Sequence, residues 1–158
     1  CRGGYNVQEL AMLDRSKIGH EFAPFTVEIE KGRLRFFARA IGETNPIYVD
    51  AAAASAAGHA TIPAPPTYMF SIDLEGPEFL PIVKLLGLDI PRVLHGSQEF
   101  DYLAQIYAGD VITQTSKIAD IFDKKGGALE FVVVESVYTN ESREPVGKAR
   151  QTLVYRSS

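Results

Sequence analysis

The sequence predicts an α+β fold in which helical segments come first and a run of long antiparallel strands follows. Three observations carry this expectation. Apolar residues recur at spacings of three and four before residue 42, as on one face of a helix. From about residue 91 the spacing switches to two and stays there. The segments between the alternating runs are Ala108-Gly109-Asp110, Asp123-Lys124-Lys125-Gly126-Gly127 and Asn140-Glu141-Ser142-Arg143-Glu144. These hold the glycine and small polar residues that chain reversals prefer. Helices followed by strands argue against an alternating α/β arrangement. A chain of 158 residues that is 46% hydrophobic suits one domain around one core.

Residues 24–30 alternate Phe25, Val27 and Ile29 with polar neighbours, which reads as a half-buried strand. Residues 31–42 place Leu34, Phe37, Ala38 and Ile41 on one helical face, with Gly42 as the stop. Glu43-Thr44-Asn45-Pro46 breaks regular structure, because proline restricts the residue before it. Residues 50–57 form a short alanine-rich helix with Asp50 as N-cap and Gly58 as terminator. Pro63-Ala64-Pro65-Pro66-Thr67 is a rigid entry to a second helix, 68–74, which is apolar on most faces and therefore expected to be buried. A short helical or irregular stretch at 78–87 follows, and then strands at 92–106, 111–122, 128–139 and 146–156. This pattern supports a sheet packed on one buried helix. Long exposed sheet edges are a liability, so a dimer whose sheets join is expected.

Net charge is −4, which offers no basic footprint for nucleic acid or an anionic membrane. Cys1 is the single cysteine, so no disulfide framework forms within the chain. The three histidines, His20, His59 and His95, are too scattered for a metal motif. No apolar run approaches the roughly 18 residues that span a bilayer, and no apolar export segment precedes Asp14. A cytoplasmic, reducing location is the expectation. Residues 1–11 lack the pattern that follows and read as an N-terminal extension or expression remnant, with 12–158 as the domain. No glycine-rich phosphate loop, flavin or nicotinamide motif is evident, and no cofactor is expected.

The stretch from Phe37 to Asp50, which holds Gly42-Glu43-Thr44-Asn45-Pro46-Ile47-Tyr48, resembles the signature of MaoC-like dehydratases and (R)-specific enoyl-CoA hydratases. Thr61-Ile62-Pro63-Ala64-Pro65-Pro66-Thr67-Tyr68 is similar to the entry of that family's central helix, and Tyr107-Ala108-Gly109-Asp110 to its sheet turn. The likeness covers about residues 17–156. It is nearest to the N-terminal-domain, FAS1-like dehydratase subgroup, which includes the non-catalytic subunit of mycobacterial two-subunit 3-hydroxyacyl dehydratases. The resemblance implies a hot-dog fold, a curved antiparallel sheet wrapped around a central apolar helix. It also implies an acyl-CoA or acyl carrier protein thioester as ligand, and a homodimer or a heterodimer with another hot-dog subunit.

The family's reaction is reversible loss of water from a 3-hydroxyacyl thioester. It requires a group that takes the C2 proton, a group that protonates the leaving hydroxyl, and a donor to the thioester oxygen. The family uses an aspartate, a histidine and a helix-entry N–H beside a glycine. Here those positions hold Glu43, Tyr48 and Ala64-Pro65. A phenol titrates near 10 and shuttles protons poorly at neutral pH, and proline has no N–H to donate.

Glu43 and Tyr48 are the candidate catalytic residues. A solvated carboxylate past a helix end and a packed phenol at a rim are their plain alternatives. Asn45, Thr67, Tyr68 and His95 form the candidate substrate-binding set. Asn45 is equally suited to holding its own loop, and Thr67 to replacing the missing donor. His95-Gly96 is read as a coincidence with the family's His-Gly pair, with lining of a tunnel mouth as the functional alternative. Lys124-Lys125 is a charged hairpin tip or a contact for coenzyme A phosphates. The leading expectation is an acyl-binding subunit that needs a catalytic hot-dog partner. The alternatives are a self-sufficient homodimeric enoyl-CoA hydratase using Glu43 and Tyr48, a non-catalytic acyl-thioester-binding module, and a thioesterase.

Overall fold

Period-two alternation resolves into strands β1 (Phe25–Glu28), β2 (Val93–Tyr102), β3 (Val111–Lys124), β4 (Leu129–Thr139) and β5 (Pro145–Arg156) in the computed structural model. That structure describes residues 12–78 and 80–156, so the expected extension 1–11 lies outside the described residues. The strands form one antiparallel sheet in the order β1-β3-β4-β5-β2. β2 ends at Tyr102 rather than 106. The chain there leaves the ladder, and Ile106 and Ala108 instead exchange backbone hydrogen bonds with Ala64 and Ile62. The two sheet edges are unequal: β1 has 4 residues and β2 has 10.

The helices are α1 (Lys31–Ala40), α2 (Ala51–Ala56), α3 (Met69–Asp73) and α4 (Pro81–Leu86). Gly42, at φ 73°, adopts the left-handed conformation that ends α1. Leu34 and Ala38 are fully buried, but Ile41 is 51% exposed. Ile41 falls past the last helical turn, so the face it was assigned to no longer continues there. Asp50 caps α2 as expected, its Oδ1 accepting from the Ala52 N–H at 2.8 Å.

The buried helix is shorter than the sequence pattern suggests. Pro65 and Pro66 supply no N–H, and Thr67 sits at φ 71°, outside the helical region. Helical geometry therefore starts only at Met69 and ends before Gly76-Pro77. Met69 and Ile72 still enter the core, 3% and 0% exposed. They pack with Leu34, Ile112, Tyr138 and Ala149. A second cluster gathers Ile82 of α4 and Leu88 against Ile118, Ile121, Val132 and Leu153. Fully burying each large aliphatic side chain contributes about 2 kcal/mol. Gly147 sets how closely α3 approaches: a Cβ there would overlap the Met69 sulfur and lie 3.3 Å from the Asp101 carbonyl. The curved sheet gripping this short apolar helix is the hot-dog architecture.

Candidate functional site

A cleft of about 350 Å³ opens where α3 begins. Its apolar wall comes from Ala64, Pro65, Pro66, Met69, Ile106 and Val146. Tyr48, Tyr68, Tyr102 and Gln105 supply its polar groups. The local sequence explains this mixture. Pro63 and Ala64 pair with Tyr107 and Ile106 and a turn follows from Pro65, so small and apolar side chains face the gap that the late start of α3 leaves.

Of the residues proposed from sequence, Tyr48 and Tyr68 line this cleft, whereas Glu43, Asn45, Thr67 and His95 do not. Tyr68 is 3% exposed, with its ring edge-on to Phe37 at 5.2 Å. Burial, reinforced by the negative charge of Glu75, pushes its hydroxyl up to about 12, so it remains protonated across the physiological range. Glu43 turns back on its own loop, where its carboxylate accepts the Asn45 N–H at 2.8 Å. Asn45 Oδ1 in turn accepts the Ile47 N–H at 3.2 Å. These two residues thus hold the 43–48 loop, an arrangement Asx-type residues before proline favour. Arg35 steadies the same loop by donating to the Val49 carbonyl at 2.8 Å.

Thr67 touches the cleft's lining only through its hydrogen bond to Tyr102. Its N–H is the first after two prolines, and it donates to the Tyr102 hydroxyl at 2.9 Å. His95 lies elsewhere, near the start of β2, with Nε2 3.1 Å from Gln98 Oε1 and its ring against Phe70. Gly96 beside it marks a bulge in the β2–β5 ladder, and a Cβ there would meet Val154 at 2.8 Å. The His-Gly pair is therefore accounted for by sheet geometry. Lys124 ends β3 and Lys125 opens the turn after it, neither lining the cleft, with the Lys124 ammonium 5.0 Å from the Phe131 ring centre.

Sequence reasoning missed a buried polar cluster at the C-terminal end of α3. Tyr138 donates to Asp73 Oδ1 at 2.8 Å, and Gln114 Nε2 donates to the same oxygen at 3.0 Å. Gln114 also reaches Ser136 at 3.3 Å. Burial raises the Asp73 carboxyl to about 6 despite two donors that favour its charged form. The Tyr138 hydroxyl is raised well above its ordinary value, first by burial and then by Asp73. Asp73 could have been singled out as the one acid in an apolar helix. Among the described residues, no group of three or more His, Cys, Asp or Glu is arranged to hold a metal. No helix among them is long and apolar enough to cross a membrane.

The chain matches the family model described as FAS1-like, dehydratase domain region, over residues 16–149. A UPF0336 protein of Streptomyces griseus is 39% identical over 147 residues, covering 92% of this chain and 97% of the relative. A UPF0336 protein of Saccharopolyspora erythraea is 36% identical over the same length, covering 92% and 93%. Among solved structures, the Mycobacterium tuberculosis HadBC (3R-hydroxyacyl-ACP dehydratase) complex superposes with a TM-score of 0.75 at 23% identity, covering 87% of this chain and 96% of that one. The ChsH1–ChsH2 complex of the same organism gives 0.69 at 25% identity, covering 87% and 89%. With matching sequence family, this chain belongs to the FAS1-like, dehydratase domain region family, and its sheet and helix share the hot-dog fold of solved MaoC-like dehydratases.

Proposed function

We propose that this chain is the acyl-thioester-binding subunit of a two-component 3-hydroxyacyl dehydratase, or enoyl hydratase, whose proton chemistry is supplied by a hot-dog partner. The observation that carries the reading is the separation of acid from cleft. Glu43, at the family's acidic position, is spent on the Asn45 N–H, while the cleft presents phenols and an amide. Proton transfer at C2 needs a base within hydrogen-bond reach of the substrate. A cleft of mainly apolar wall with few fixed polar groups suits binding of an acyl chain near its carbonyl.

The long β2 edge is where this reading seats the partner. Strand addition to an exposed edge satisfies its backbone groups, and a partner there would border Tyr102 and the cleft. Two similar proteins of known structure, HadBC and ChsH1–ChsH2, are described as complexes, which supports looking for a second hot-dog subunit. Coenzyme A and acyl carrier protein share the thioester arm, and the reading covers both carriers.

The test is hydration of crotonyl-CoA and longer enoyl-CoAs. The purified chain is assayed alone, then mixed with a hot-dog protein from the same genome that carries an intact Asp-x-Asn-Pro-x-His motif. The expected result is turnover by the mixture and none by the chain alone. Robust hydration by the chain alone would reject the subunit reading in favour of a self-sufficient enzyme using Glu43 and Tyr48.

A further inference from the structure

We infer that Tyr102 is the residue that anchors the ligand's carbonyl oxygen in the cleft, through a relay that starts at the Thr67 backbone N–H. Four cleft side chains carry polar groups, and three are poorly suited to this task. Gln105 donates its amide to two carbonyls, Ala64 at 3.1 Å and Ile106 at 2.9 Å. Tyr68 is nearly inaccessible, and its hydroxyl lies in the field of Glu75 and Arg33. Among the described residues, no hydrogen bond fixes the hydroxyl of Tyr48.

Tyr102 differs on each count. It is 57% exposed, so a ligand can reach it. Its ring is stacked on Phe100 at 6.0 Å and 24°, and its oxygen accepts the Thr67 N–H. Two constraints therefore fix the phenol before any ligand arrives, which lowers the ordering cost of binding. Accepting one hydrogen bond also polarises the phenol and strengthens the bond that its own proton makes. That proton has no acceptor among the described residues. The backbone explains why a relay is present at all: Pro65 and Pro66 cannot donate, and Thr67, at φ 71°, directs its N–H onto Tyr102. Gly147 completes the arrangement. It pairs with both Tyr102 and Tyr138 in the sheet register, and its missing side chain leaves room for Met69 beside the tyrosine.

The chemistry recognised is a carbonyl oxygen at the head of an apolar chain, held by a neutral donor. The inference rests on the acyl-thioester reading above, and the test separates the two. Octanoyl-CoA and its thioether counterpart S-octyl-CoA, which lacks the carbonyl, are titrated calorimetrically into the full chain and into Tyr102→Phe. The parent chain is expected to bind both and to prefer the thioester by about tenfold, the worth of one good hydrogen bond to a preorganised donor. In Tyr102→Phe that preference disappears while thioether affinity stays unchanged, which also shows that the variant is folded. A variant that keeps the preference, that loses both ligands equally, or that binds the thioester more tightly overturns the relay and leaves the acyl reading standing. Equal affinity of the parent chain for the two compounds overturns the relay as well. If the parent chain binds neither compound, the acyl-thioester reading fails and the relay fails with it.

Discussion

The Tyr138 hydroxyl donates to Asp73 Oδ1 across 2.8 Å, tying the end of the central helix to the middle of the sheet. Asp73 also receives Gln114 Nε2, so one carboxyl oxygen closes a bridge from α3 to both β3 and β4. The cluster sits among inward-facing residues of an otherwise apolar sheet surface, and its effect on stability follows from the burial of an ionisable group.

Asp73 titrates near 6 in the folded chain and near 3.8 when unfolded. The folded state therefore binds its proton more tightly, so the stability linked to this group is fully present below pH 4 and is lost as pH rises through about 6. After allowance for partial solvent access, this preference for the protonated carboxyl corresponds to on the order of 2 kcal/mol. Asp73→Asn keeps an acceptor for both donors but cannot ionise. Urea unfolding at pH 4.5 and 7.5 should show the variant gaining on the parent chain as pH rises. A difference between the two proteins that is independent of pH would contradict this.

Tyr138→Phe removes one donor to Asp73 and leaves the ring in place. The expected loss is about 1–2 kcal/mol at neutral pH, where the carboxylate is charged, and less near pH 4.5. Chemical denaturation of the variant at both pH values measures it.

Gly147→Ala introduces a Cβ into the space that the Met69 sulfur occupies. Overpacking of this kind destabilises by about 1–3 kcal/mol. Because Met69 begins the central helix and lines the cleft, the same variant should also weaken octanoyl-CoA binding. Truncating the obstacle in Gly147→Ala/Met69→Ala should recover part of the strain, and thermal unfolding of the single and double variants reads this out.

Much of this fold was legible because period and punctuation agree. The five strands fall where alternation predicts, within a few residues, and Asp50 and Gly42 bound their helices as their chemistry suggests. The length of the central helix was not legible from apolar content alone. The left-handed Thr67 lies third in a turn closed by the Tyr68 N–H on the Pro65 carbonyl, and its own N–H meets Tyr102, 35 residues away. The two residues put forward from the resemblance part company in the structure. Tyr48 reaches the cleft, whereas Glu43 bonds a neighbour two residues on, a local choice that residue type cannot reveal. Gln114 and Ser136 carried a readable signal, being polar at buried positions two residues from Ile112 and Tyr138 on their own strands. Tyr102 carried none, since its role depends on where β2 leaves the ladder.

The central claim is that this chain holds the acyl group and does not move the proton. The most direct measurement is the initial rate of crotonyl-CoA hydration by the complex of this chain with its Asp- and His-bearing partner, compared with the same complex carrying Glu43→Gln. The account predicts rates equal within about twofold, because Glu43 serves only its own loop. A fall of about a hundredfold or more, the usual effect of losing a general base, would contradict it.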